Sequence, residues 1–278
     1  MNNQSLNEIN KRDLDKCLFS ISFSFSEIFY NDGNDYIYKR KVYFIYGCNI
    51  MGVRKYITSV FADEYTSTSS WYDFFMLLKK RGLEVIFYSI IPDEKIIKEA
   101  VSLAFPETKA FVTPLEVIKK VYKFFSQGYT TNFITKIKRI YNAVNTTDLN
   151  LKIEDFYSEY GEHPFIYDLA EKYFTYVKSY INYDYELRNN IFCFYFNRDL
   201  YKRLHTISKS RRYFFKLSEY EELLLPTIKI FETRMYLPKE DWNRIINLLY
   251  KQDKDLLLRY LWCIIYGTKA GVLVWITL

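Results

Sequence analysis

Few residues in this chain have the type and spacing to do chemistry. The two histidines, His163 and His205, and the four scattered cysteines, Cys17, Cys48, Cys193 and Cys263, form no CxxC pair and no local spacing that could hold zinc. The thiols read as free and buried in a reducing compartment. Positive charge carries more information. Lys39-Arg40-Lys41, Lys79-Lys80-Arg81, Lys119-Lys120 and Lys136-Ile137-Lys138-Arg139 are short clusters, each most simply a solvated face. The densest group is Lys202, Arg203, His205, Lys209, Arg211 and Arg212, which runs directly into Tyr213-Phe214-Phe215. Cations beside aromatic rings suit phosphate neutralisation and base stacking. The aromatics are explained equally well as core.

Composition limits what can position these residues. The 278 residues include 28 Tyr, 23 Phe and 4 Trp but only 8 Gly and 6 Pro, so there is ample apolar surface to offset the entropy of folding, and disordered or collagen-like chains are excluded. The 39 Lys and Arg outnumber the 33 Asp and Glu by six, a charge that permits contact with a polyanion without demanding it. The first residues, Met1 to Glu8, are polar and lack the apolar core of a signal peptide. Arg259 and Lys269 interrupt the apolar stretch Leu256–Leu278, which reads as a buried helix and terminal strand rather than a membrane span. The expectation is a soluble cytoplasmic protein with no membrane partner.

Periodicity then divides the chain. Residues 18–26 alternate apolar side chains with serine, the pattern of a half-buried strand. A turn cluster at 31–35 leads to apolar runs at 41–47 and 54–61, and these connections are short enough for a three-stranded antiparallel meander. Thr68-Ser69-Ser70 is expected to cap a helix that stops at Arg81-Gly82. Residues 83–91 form a nearly continuous apolar run, as in a buried parallel strand. Pro92-Asp93-Glu94 is expected to open a second helix, and 110–113 a further strand. From Pro114 to residue 260 the pattern is that of successive amphipathic helices. The order β-β-β-α-β-α-β predicts an α/β domain whose sheet carries a meander followed by a βαβ unit. Expected divisions are 1–114 for the β/α half, 115–183 for a helical insertion, 184–260 for C-terminal helices completing the core, and 261–278 for an atypical tail.

Local words give this order a more specific meaning. Val42–Gly47 through Gly52–Lys55, Ser70–Phe75 with Leu78–Gly82, and Lys98–Val101 with Ala104–Pro106 keep the order and spacing of a known pattern, as do Ser158–Gly161 with His163-Pro164 and Glu186–Arg188 with Ile191-Phe192. In these words the chain resembles the Mutator-type bacterial insertion-sequence transposases. The resemblance implies a ribonuclease H-like fold and a chemistry of phosphodiester cleavage and strand transfer, in which three carboxylates hold Mg²⁺ ions. It also implies DNA as partner and leaves a homodimer open.

The carboxylates are where the chain departs from the family. The first falls at Ser26, the second at or near Asp93, and the third at Arg198, so only Asp93 is acidic. Glu27 and Asp199 are the neighbours that could substitute. However, adjacent residues face opposite sides of a strand, and one step on a helix turns a side chain by roughly 100°. The expectation is a degenerate transposase, inactive, without cofactor, and retaining DNA binding through Lys202, Arg203, Lys209, Arg211 and Arg212. Two alternatives stand beside it: an active Mg²⁺-dependent transposase using displaced acids, and a non-catalytic interaction protein. The family's N-terminal DNA-binding part is expected to be missing, because the first core strand begins close to the start of the sequence.

Overall fold

The serine-alternating segment folds as a strand longer than its pattern predicts. β1 spans Cys17–Asn31 and β2 Ile37–Cys48, pairing antiparallel from Ser20↔Cys48 to Asn31↔Ile37. The turn cluster thus lies at the tip of a long ribbon, and β3 (Arg54–Phe61) joins only as far as Val42↔Phe61. β4 (Val85–Ile91) runs parallel to β1, from Cys17↔Val85 to Ser22↔Ile90, and β5 (Lys109–Val112) runs parallel to β4. The result is a mixed α/β protein whose open five-stranded sheet has the order β3-β2-β1-β4-β5. This computed structural model describes residues 10–33, 36–112, 127–162, 164–191, 194–233, 238–255 and 257–258, with the side chains of 127–131, 189–191, 194–199 and 201 outside the description.

Helices lie on both faces. α1 (Thr68–Lys80) starts one residue earlier than expected: Ser67 is its N-cap, and Ser67 and Ser70 cap each other reciprocally. It stops, as the sequence predicts, at Arg81-Gly82, where Gly82 takes φ +95°, a value favourable to glycine. α2 (Lys95–Ala104) packs on α1 and against β4 and β5. Together they bury Trp71, Phe74, Phe75, Ile97 and Val101 against Ile21, Phe23, Tyr43 and Ile45 of the sheet. The Pro92–Glu94 segment precedes α2 and does not form its first turn. Glu94 is the N-cap of α2 through its backbone, but its side chain makes no cap hydrogen bond, and the side chains of Asp93 and Glu94 each turn towards a different neighbour.

From residue 127 every regular element among the described residues is helical: α3 (Gln127–Tyr141), α4 (Thr146–Tyr160), α5 (Pro164–Tyr180), α6 (Tyr185–Ile191), α7 (Phe194–Ser208), α8 (Leu217–Thr233) and α9 (Lys239–Gln252). α3 to α5 and α9 share a core with Phe19, Phe87, Ile90 and Phe111. α7 packs on β1 and α8 on β3, enclosing Ile28, Val42, Phe44, Tyr56 and Phe61 with Leu204, Leu224, Ile228 and Phe231. α9 is fixed to the β2–β3 turn. There the Trp242 indole donates to the Ile50 carbonyl at 2.5 Å, and Gly52, at φ +74°, lies so close that a Cβ would meet the Trp242 ring at 2.9 Å. None of these helices is long and apolar enough to cross a membrane. The expected boundary at 114/115 and the tail 261–278, with its terminal strand, lie outside the described residues.

The outer edge of β3 is closed by side chains. Glu232 of α8 accepts the Tyr56 N–H at 2.8 Å, Arg12 donates to the Tyr56 carbonyl at 2.6 Å, and Arg81 donates to the Ile57 carbonyl at 3.2 Å. Arg12 and Glu232 also pair with each other. An edge strand left with open backbone groups would invite pairing with another chain, and these three charges prevent it.

Candidate functional site

The positions singled out by sequence fall into two groups. Ser26 and Asp93 both lie beyond the last β1–β4 pair, Ser22↔Ile90, at the carboxyl end of the parallel strands. α7, which carries positions 198 and 199, packs on β1. The side chains of Arg198 and Asp199 are outside the described residues.

Ser26 is buried, at 3 % exposure, on the face covered by α7 and α8. Its hydroxyl is 2.5 Å from that of Tyr220 on α8, and either can donate. Burial raises the Tyr220 phenol above its ordinary pKa, so it stays neutral. The whole serine row, Ser20, Ser22, Ser24 and Ser26, is buried. This corrects the expectation of a half-buried strand with a solvated polar face: α7 and α8 lie over that face, and small hydroxyls let them approach closely.

Asp93 is nearly buried and engaged by α5: Lys172 reaches its Oδ2 at 2.5 Å, and the Tyr176 hydroxyl donates to Oδ1. Glu94, the next residue, turns to Lys41 at 2.7 Å and to the Tyr43 hydroxyl. Glu27 lies on the opposite face of β1 from Ser26, half exposed, with Lys39 at 2.5 Å. Among the described residues no group of three or more His, Cys, Asp or Glu side chains stands close enough to hold a metal ion. The Tyr220 partner of Ser26 and the Lys172–Tyr176 clamp on Asp93 were not read from the sequence. No local pattern announces them, because each partner comes from a helix far along the chain.

Electrostatics separates the basic clusters. Lys39, Arg40 and Lys41 each face acids: Glu27, then Asp63 and Glu64, then Glu94. Lys136 faces Asp155 and Glu159. By contrast Lys202, Arg203, Lys209 and Arg212 are exposed and have no carboxylate partner among the described residues, while Arg211 has Glu219 at 3.8 Å. The five cations named from the sequence are thus exposed together on the end of α7 and the turn into α8. The aromatics beside them divide: Phe214 is fully buried, whereas Phe215 is 45 % exposed.

Cys17 and Cys48 are free and buried, and burial pushes the Cys48 thiol up to about 12, which makes it a poor nucleophile. Cys193, Cys263 and His163 lie outside the described residues.

The sequence model of the Mutator family of transposases matches residues 2–225. The chain belongs to that family. No curated protein matches it significantly. Membership in the Mutator family supports a function related to DNA transposition. The resemblance calls for Mg²⁺, and at the positions expected for it the described side chains do not fit: Ser26 offers a neutral hydroxyl held by the Tyr220 phenol, and Asp93 a carboxylate already paired with the Lys172 ammonium. A Mg²⁺ pair needs several unengaged anionic oxygens on one open face.

Proposed function

We propose that this Mutator-family protein has a ribonuclease H-like core and associates with DNA without cutting it. The observation that carries this reading is Ser26, buried on the covered face of β1 with its hydroxyl 2.5 Å from that of Tyr220. A carboxylate is needed there for metal-dependent strand transfer, and neither a neutral hydroxyl nor the arginine at position 198 supplies negative charge. The sheet order, with β2 antiparallel to its neighbours and β4 and β5 parallel to β1, supports the ribonuclease H-like reading. DNA association rests on Lys202, Arg203, Lys209, Arg211 and Arg212, whose exposed charges release counterions from a phosphate backbone. Displaced acids are disfavoured: Glu27 faces the wrong side of the strand.

A strand-cleavage assay with Mg²⁺ tests this. The expected result is no cleavage, unchanged by Asp93→Ala. Cleavage by the native chain that disappears in Asp93→Ala would overturn the proposal. Installing Ser26→Asp with Arg198→Glu, together with Lys172→Ala to free Asp93, is expected to create Mg²⁺ affinity measurable by calorimetry.

A further inference from the structure

The end of the β1–β2 ribbon carries an exposed aromatic surface. Beyond Val42↔Phe61 the ribbon has left β3 behind, and beyond Ser22↔Ile90 it has left β4. The segment following α7 takes the place of β4 along β1. Phe214 donates its N–H to the Phe29 carbonyl and accepts from the Asn31 N–H, both at 2.8 Å, forming a parallel bridge Tyr30↔Phe214. Phe214 and Tyr30 point to the covered face, where they pack with Ile28 and Phe61. Strand alternation therefore sends Tyr213, Phe215 and Phe29 to the opposite face, together with Lys39, the partner of Phe29, and Ile37, the partner of Asn31.

That face is open here. Phe29 is 52 % exposed, Phe215 45 % and Ile37 45 %. Two rows cross the ribbon and the segment bridged to it: Tyr213, Phe29 and Lys39, then Phe215, Asn31 and Ile37. Cations flank them on the chain, Lys209, Arg211 and Arg212 just before Tyr213 and Lys216 just after Phe215. Among the described residues Lys209, Arg212 and Lys216 have no carboxylate partner; the acids nearby include Glu219, which faces Arg211, Glu27, which faces Lys39, and Asp32, which follows Asn31.

We propose that this open face binds single-stranded DNA, with Phe29 and Phe215 stacking on unpaired bases and Lys209, Arg212 and Lys216 holding the phosphates. The proposal rests on the DNA-binding reading above and gives it a strand preference. Exposed rings on a bare sheet face, ringed by cations, supply both halves of single-strand recognition: a π surface for each base and positive charge for each phosphate. Duplex DNA keeps its bases stacked on one another, so it can use the cations but not the rings. A second copy of the chain would bring the same uncompensated charges against themselves.

The test is a fluorescence anisotropy titration of the full chain with labelled oligo-dT and with a mixed-sequence duplex of equal length. The native chain is expected to prefer oligo-dT. Phe29→Ala with Phe215→Ala is expected to weaken oligo-dT binding about tenfold or more and to leave duplex binding unchanged, while Phe29→Trp retains it. Lys209→Ala with Arg212→Ala is expected to weaken both DNAs and to flatten the salt dependence. Unchanged oligo-dT binding in the aromatic double variant, or duplex binding without oligo-dT binding, overturns the strand preference alone. Absence of binding to either DNA at low salt overturns the DNA-binding reading and this inference with it.

Discussion

The two ends of β1 invert the usual relation between polarity and burial. Along its first half, Ser20, Ser22, Ser24 and Ser26 are buried, whereas at its far end Phe29 is half exposed. From Ile21 to Phe29 the alternation of side chains is unbroken; what differs is the cover. α7 and α8 lie over the serine row, and at the ribbon tip only the side of Tyr30 and Phe214 is packed. A strand pattern thus fixes which residues share a face, not which face meets water.

Substitutions on either side of this comparison should behave oppositely. The largest effect is expected from Ser26→Asp. It places a carboxylate beside Tyr220 in a buried site and should lose about 3 kcal/mol or more in chemical denaturation; a loss under about 1 kcal/mol would mean that the covered end admits water. Next comes Glu232→Ala, which strips the β3 edge of its acceptor for the Tyr56 N–H and leaves Arg12 without its carboxylate. It should cost about 1–3 kcal/mol, measured in the same way, and should favour self-association by size-exclusion chromatography.

A third experiment uses pH. Glu221 on α8 is buried, and burial raises its carboxyl above the ordinary value despite hydrogen bonds from Asn10 and Tyr56. A carboxyl with a raised folded pKa favours folding fully only below the ordinary carboxylate pKa. Stability then falls as pH rises from there through the folded value. Glu221→Gln should remove that fall, so that variant and native stabilities diverge as pH rises through the window just above the ordinary carboxylate range. Parallel curves would place the charge in solvent. The smallest effect is expected at the other end of the strand: Phe29→Ala should change stability by no more than about 0.5 kcal/mol, because the ring it removes already faces water. A larger loss would show that the ribbon tip is packed in solution.

Much of the architecture was legible. Alternating serines marked β1, the continuous apolar run marked β4, and Arg81-Gly82 marked the end of α1, because period and backbone freedom are local properties. Element ends were less legible. β1 and β2 run on to Asn31 and from Ile37 because the two strands stabilise each other across the ribbon, a contact no single segment encodes. Pro92-Asp93-Glu94 does lead into a helix, with Glu94 as its N-cap, but the acids stay outside the first turn and their side chains pair with Lys172 and Lys41, contacts from distant segments. Sequence found five cations of the candidate surface, but only pairing separates them from the Lys39–Lys41 cluster, whose members each face an acid.

By itself, then, the sequence determined the family and the order of elements. It also led to the expectation that Ser26 and Arg198 stand where the Mutator pattern has acids, because residue identity and spacing survive without coordinates. Only the tertiary structure decided that Ser26 is committed to Tyr220, that Asp93 is clamped by α5, and that Phe29 and Phe215 share an open face beside uncompensated cations. Each of those facts is a contact or an exposure between segments far apart in the chain, and burial is set by what lies on top of a strand rather than by the strand itself.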